Sequence, residues 1–180
     1  MKKIKRLAIA TAATATLAAS VLVAPATASA VGGWHAQFGT YCTPWEDVYG
    51  RGGYTFTDFR TCVDVREGAD RQYVRVETDK TTYYWGGAWY SAAPVYQADI
   101  EATTKFTALY ESGYSGEGTN HWVQTSRSGH NYTDAFTLDR CGAHRLDVTY
   151  QQRGPYYRDD DSMIDVNRSY DDFVIPCTHD

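Results

Sequence analysis

Residues 96–110 read YQADIEATTKFTALY. The even positions, Tyr96, Ala98, Ile100, Ala102, Thr104, Phe106, Ala108 and Tyr110, are apolar or small, and Gln97, Asp99, Glu101, Thr103, Lys105, Thr107 and Leu109 stand between them. Successive side chains of a strand point to opposite faces, so alternation over fifteen residues predicts one long or bent strand with a buried face and a wet one.

The same period recurs on both sides of that stretch. Thr55, Thr57, Phe59, Thr61, Val63 and Val65 share one face of a second strand, with Asp58, Arg60, Asp64 and Arg66 opposite, beside Tyr54, Phe56 and Cys62. Residues 71–78 make a third, with Val74 and Val76 facing in, and Trp85-Gly86-Gly87-Ala88-Trp89 reads as a tight turn or bulge between aromatic strand ends. After a Gly-rich loop over 113–120, strands are expected at 121–126, 132–140 and 143–152, then at 162–169 and 172–177. No window carries a twelve-residue amphipathic helix. About eight strands in a chain rich in Tyr, Trp, Thr and Val predict an all-β, single-domain antiparallel sandwich, with a partly closed barrel as the alternative.

The four cysteines fit that reading. Cys42 and Cys62 are centred on the turn Gly50-Arg51-Gly52-Gly53, and Cys141 and Cys177 on the turn that contains Asp159, Asp160 and Asp161. Residues equidistant from a hairpin turn face each other, so Cys42–Cys62 and Cys141–Cys177 are the preferred cross-strand disulfides among three connectivities. Closing loops of 20 and 36 residues contributes roughly 3–4 kcal/mol each in the chain-entropy account. In the second hairpin this register sets Ala143 opposite Ile175, Arg145 opposite Phe173 and Tyr150 opposite Arg168. A zinc site using Cys141, His144, Cys177 and His179 is the rival, but no Cys-x-x-Cys spacing supports it.

Residues 1–30 read as a secretory signal peptide: Lys2, Lys3, Lys5 and Arg6, then an apolar stretch, then Ala28-Ser29-Ala30 as a cleavage site. The expected mature chain is an aromatic, Gly-rich segment over 31–41 and a β-sandwich over 42–180, secreted, with no membrane anchor. The whole chain has 17 basic and 22 acidic side chains; without the four basic residues of the leader, 13 stand against 22, a formal charge of −9. Such a balance disfavours nucleic acid and anionic membranes as partners.

Catalytic motifs fall short. Gly113-Tyr114-Ser115-Gly116-Glu117-Gly118 misses the G-x-S-x-G nucleophile turn by one position, and reads as a mobile loop. Of the five histidines, His144 stands at a ligand-like spacing from Cys141, but a metal or a triad needs two or three to converge, which spacing alone does not establish; the acidic run at 159–161 lacks the pattern of a calcium loop. No Asp/Glu pair is singled out for glycoside hydrolysis. The expectation is a chain without enzymatic activity, cofactor or metal.

Two aromatic sets remain as candidate binding residues. Tyr84, Trp85, Trp89 and Tyr90, with Tyr83, surround two glycines; they fill the core or offer a contact surface, and at least one ring must point outward. Trp34, Phe38 and Tyr41 lie on the uncharged segment 31–41, which pairs as a first strand within the domain or joins a partner's sheet or groove.

With its leader, its segment 31–41, its two cysteine pairs and its roughly eight strands, the exported portion resembles the small disulfide-bearing β proteins secreted by streptomycetes. Within that group it is similar to the adaptor subunit of umbrella-shaped toxin particles. The resemblance implies a non-catalytic connector between a lectin-bearing subunit and a toxin-bearing stalk. The expected partner is another secreted protein, bound through residues 31–41 or the 83–90 cluster. A secreted inhibitor or antimicrobial effector, and a carbohydrate-binding module that stacks a glycan on Trp and Tyr, are the alternatives.

Overall fold

The computed structural model describes residues 34–67, 72–109, 115–136, 141–154 and 163–179, all within the unit Gly32–Asp180. The expected signal peptide, the acidic turn at 159–161 and the last part of the strand expected at 132–140 lie outside the described residues. In chain order the strands are β1 (Trp34–Ala36), β2 (Gly39–Cys42), β3 (Glu46–Tyr49), β4 (Thr55–Val65), β5 (Gln72–Trp85), β6 (Ala88–Ser91), β7 (Ala98–Ala108), β8 (Ser115–Gln124), β9 (Gly129–Phe136), β10 (Gly142–Arg153), β11 (Ile164–Ile175) and β12 (Cys177–His179). One 3-10 turn, Arg51–Gly53, joins β3 to β4.

All pairings between these strands are antiparallel. One sheet has four strands in the order β11-β10-β7-β8. The second has six, with β4 and β5 at its centre. β2 and β3 lie end to end along β4, and β9 and β6 lie end to end along β5. β1 and β12 form a separate two-stranded ribbon.

The two larger sheets face each other as a β-sandwich, and the alternation read from the sequence supplies the inner faces. On β7, Ala98, Ile100, Ala102, Thr104 and Phe106 are buried while Asp99, Glu101 and Lys105 are exposed. On β10, Leu146, Val148 and Tyr150 are buried, and so are Thr55, Thr57, Phe59, Thr61, Val63 and Val65 on β4. Phe59 and Tyr150 join the sheets, their rings 4.9 Å apart and 8° from parallel. The Thr104 and Thr133 hydroxyls also meet across the core at 2.6 Å. Along one flank, Glu46 on β3 accepts hydrogen bonds from Arg168 Nε and the Tyr170 hydroxyl on β11, both at 2.5 Å. Elsewhere the Gln124 side chain of β8 reaches β5, accepting from the Thr78 hydroxyl at 2.7 Å and donating to that of Thr81 at 3.0 Å. Gly154, just past β10, leaves room for Tyr83: a Cβ there would come within 2.8 Å of the Tyr83 ring.

Both expected disulfides are present. Cys42 and Cys62 are register partners, as equidistance from the turn predicts. The second hairpin departs from its expected register: Gly142 faces Ile175, His144 faces Phe173 and Tyr150 faces Val166. Two causes act. Cys177 lies beyond the β10–β11 ladder, on β12, where it pairs with Ala36. Between the His144–Phe173 and Leu146–Tyr170 pairs, Asp171 and Asp172 oppose Arg145 alone, a bulge that shifts the rest of the ladder. Both aspartates are exposed on an outer strand of the sheet, where charge and a bulge discourage edge-to-edge pairing.

Two further expectations are corrected. Ser115–Asn120, read as a mobile loop, is the first part of β8, in register with β7 from Thr107–Ser115 to Ala102–Asn120. The neighbouring strand supplies the ladder that Gly116 and Gly118 lack the propensity to demand. Residues 162–169 and 172–177, read as two strands, are mostly one strand, β11, carried through its bulge, with Cys177 on the next. The segment 31–41 contributes two strands to the unit: Trp34–Ala36 pairs with Cys177–His179, and Gly39–Cys42 pairs with Cys62–Val65.

Two measurements check this core. Phe59→Ala leaves Tyr150 without its stacking partner and should cost about 3–5 kcal/mol in denaturant unfolding. His144 is buried against Phe106, rings 4.5 Å apart, and its Nδ1–H donates to the Gly142 carbonyl at 2.9 Å. Burial holds its pKa below the ordinary value, against the opposing pull of that hydrogen bond. The unfolded chain therefore takes up a proton below about pH 6.5 before the folded chain does, and stability falls as pH drops through that window. In His144→Gln the denaturant midpoint should be lower at neutral pH, yet fall less steeply between about pH 6.5 and 5.

Candidate functional site: an aromatic platform beside an aspartate pair

The outer face of the six-stranded sheet is built in rows set by register. Near the Gly86-Gly87 turn, Tyr84 pairs with Trp89, and the Tyr84 N–H donates to the Tyr54 carbonyl at 2.7 Å. In the next row Tyr49 pairs with Phe56 and Phe56 with Thr82. Gly86 and Gly87 have φ values of 57° and 90°, the left-handed pair that a two-residue hairpin requires, so the predicted tight turn forms. Because side chains alternate, Tyr83 goes inward, 2 % exposed, while its neighbours Tyr84 and Trp89 belong to the outer face.

The result is a platform of rings. Tyr49 and Phe56 are 4.7 Å apart, Tyr84 and Trp89 meet edge to face at 5.5 Å, and Tyr54 stacks on Tyr84 at 6.2 Å. Tyr49 and Trp89 remain 58 % and 50 % exposed on it, while Trp85, on Tyr83's side of β5, lies off the platform.

The third row is charged. Asp47 pairs with Asp58, and Asp58 with Asp79. Lys80 Nζ is 2.6 Å from Asp58 Oδ2. Asp58 is 5 % exposed, and its Oδ1 is buried with no hydrogen-bond partner among the described residues. The row sits on a bulge: Lys80 and Thr81 oppose Thr57 alone, and Lys80 takes φ 52°, left-handed for a residue with a side chain. Thr57 fills the bulge, its hydroxyl 2.8 Å from that of Thr81 and 3.2 Å from the Asp79 carbonyl it donates to. The Asp47 carboxyl is pushed above its ordinary pKa, first by its hydrogen bond with Asp58 and then by that neighbour's charge. Asp58 likewise raises Lys80, by hydrogen bond and by charge.

Farther along the face, arginines cover the rings. Arg60 lies 4.5 Å over Trp45, and Arg66 lies 4.6 Å over Tyr73 and 6.0 Å over Tyr132. Glu77 holds Arg60 at 2.6 Å and Arg75 at 2.8 Å, and Arg75 also pairs with Asp64. Burial works to raise the Glu77 pKa, but Arg60 and then Arg75 outweigh it, and the net shift is downward. These ion pairs, with the Cys42–Cys62 bridge, explain why Asp64 and Cys62 are buried on a face expected to be wet.

The residues singled out from sequence separate into two groups at opposite ends of β4. Tyr84 and Trp89 are at the platform; Trp85 and Tyr90 fall on the other side of the hairpin, Tyr90 5.2 Å from Tyr96. Trp34 belongs to β1, opposite His179. Phe38 is 52 % exposed, and half-buried Tyr41 donates its hydroxyl to the Gln37 carbonyl at 2.9 Å. Tyr41 also lines a cleft of about 530 Å³ with Pro44, Tyr170 and Val174. Sequence reasoning missed Tyr49, Asp47, Asp58 and Lys80 as members of the site. Equidistance from the Gly50–Gly53 turn, the signal that paired the cysteines, brings Tyr49 within one residue of Phe56 and could have found it. Among the described residues no three His, Cys, Asp or Glu side chains are grouped as a metal ion would need.

Comparison with protein-family models, with curated proteins and with solved structures gives no match to this chain. Function is therefore to be read from the chemistry of this face.

The aspartate pair makes a measurable signature. In a carboxyl-carbon NMR titration Asp47 should titrate above the ordinary aspartate value of about 3.9, and Asp58→Asn should return it toward that value. The sign for stability follows: a carboxyl whose pKa is raised on folding loses stabilisation as pH rises through its folded value.

Proposed function

We propose that the chain is a secreted, non-catalytic interaction protein, an adaptor or component of an extracellular assembly of the toxin-particle type, and that it holds its partner through the aromatic platform. The observation that carries this reading is the exposure of Tyr49 and Trp89 among rings already fixed against one another. Tyr and Trp supply large contact area at small entropic cost, and they dominate binding energy at protein interfaces. A flat sheet face offers area without the enclosure that chemistry at a reacting bond calls for.

Export is supported by the leader-like first thirty residues and by two disulfides of the kind that persist in oxidising compartments. Among the described residues no helix is long and apolar enough to cross a membrane. The segment 31–41 is the other surface through which a partner would be held, and Phe38 is its exposed ring. A carbohydrate-binding module is the second reading, favoured by the Tyr54 and Tyr84 rings, which lie within 28° of parallel.

The tagged mature protein should retain a secreted protein from the culture supernatant of its producer. Trp89→Ala should weaken that retention about tenfold or more while changing unfolding stability by less than about 1 kcal/mol. Phe38→Ala should leave it unchanged. The reverse pattern would move the interface to the 31–41 segment, and retention of a polysaccharide with no protein would favour the carbohydrate module.

A further inference from the structure

The outer face treats its rings in two ways. At the end near Cys42–Cys62, the chain's own guanidinium groups lie on Trp45, Tyr73 and Tyr132, and carboxylates hold two of the three guanidinium-bearing side chains around them, Arg60 and Arg75, in place. At the other end Tyr49 and Trp89 stay 58 % and 50 % exposed. The charged groups in the row beside them are Asp47, Asp58, Asp79 and Lys80, three carboxylates against one ammonium. Lys80 is engaged by Asp58 Oδ2. Asp58 Oδ1 is buried and unpartnered, and exposed Asp47, lying against it, has no ion pair among the described residues. Arg51, on the turn after Tyr49, is the nearest other cation in sequence; with Met163 and Asp165 it lines a cleft that Tyr49 borders.

We propose that this end of the sheet receives a cationic side chain from a protein partner, an arginine laid over the Tyr49 and Phe56 rings with its guanidinium paired to Asp47 at the edge of the aspartate row. This rests on the protein-partner reading above and names the chemistry of that partner. Three physical reasons support it. The face of an aromatic ring attracts a cation, and a planar guanidinium both stacks on the ring and donates to a carboxylate in the same plane. The row beside the rings has a formal excess of negative charge, on a chain whose exported part is itself strongly acidic. A guanidinium at Asp47 would also oppose the repulsion between Asp47 and Asp58, which no cation of the described chain neutralises in full. The arrangement repeats, between two chains, what Arg60 does on Trp45 beside Glu77 within this one.

The test uses the exported protein labelled with nitrogen-15 and a short Arg-Gly-Arg peptide, with its citrulline counterpart as the uncharged control of equal shape. The arginine peptide should shift the Asp47 and Tyr49 backbone amide signals saturably, and the citrulline peptide should bind about tenfold more weakly. Asp47→Asn and Tyr49→Ala, both at exposed positions, should each weaken the arginine peptide about fivefold or more, and added salt should weaken it further. Equal binding of the citrulline peptide would overturn the proposal. So would shifts scattered over the acidic surface without Tyr49, or a neutral oligosaccharide saturating the Tyr49 signal where the peptide does not. The two readings fail separately. If Trp89→Ala abolishes partner capture but the arginine peptide does not bind, the platform stands and the cation is wrong. If the peptide binds at Tyr49 but partner capture is indifferent to Tyr49→Ala and to Asp47→Asn, the cation site stands and the docking surface lies elsewhere.

Discussion

Phe59 lying flat on Tyr150 is the contact on which the two-sheet arrangement turns. Each ring belongs to a central strand of its own sheet, and both are fully buried. Fixing these rings fixes which face of β4 and which face of β10 is inside, because a pleated strand has only two faces. With Phe59 inward, Thr57, Thr61 and Val63 follow inward, and Asp58, Arg60, Cys62 and Asp64 are forced to the other side. The aromatic and charged rows of the outer face are thus a consequence of the core.

The core contains many hydroxyls, and this shapes the molecule. Thr55, Thr57, Thr61, Thr78, Thr81 and Thr104 are all buried. Threonine has the β-branched shape that a strand favours, and it carries a hydroxyl whose burial costs stability unless it is hydrogen-bonded. The structure meets that need mostly between strands: Thr57 with Thr81, Thr104 with Thr133, Thr78 with Gln124. Such bonds are directional where apolar contacts are not, so they help hold one register between the sheets.

The outer face applies the same economy of charge along its length and then departs from it. Asp64, Arg75, Glu77 and Arg60 form a continuous run in which each charge meets an opposite one, and the rings beside them are covered. The Asp47–Asp58–Lys80 row leaves one buried oxygen unpaired, holds a lysine in a left-handed conformation and adjoins exposed Tyr49. Locally unfavourable features of this kind gather where a protein does something other than fold. Their coincidence with the platform is the reason to regard this end of the sheet as the working one.

Much of this was written in the sequence. Period-two alternation at 55–65, 96–110 and 143–152 determined the all-β class and the inner faces, because burial of alternate residues is a local property of each strand. Equidistance from a turn determined both cysteine pairs, and Gly86-Gly87 determined the hairpin between Tyr84 and Trp89. Tertiary structure decided the rest. Between Cys42–Cys62 and Glu46–Phe59, three residues of one strand run against two of the other, and bulges at Lys80 and at Asp171-Asp172 shift their ladders again. Each such offset is set by how a strand packs against both neighbours and the facing sheet, which no local pattern records. It took those offsets to bring Tyr49 onto Phe56 and Asp47 beside Asp58, and a neighbouring strand to draw Ser115–Asn120 into the sheet. The residue types were legible from the chain; their assembly into one surface was decided by long-range register.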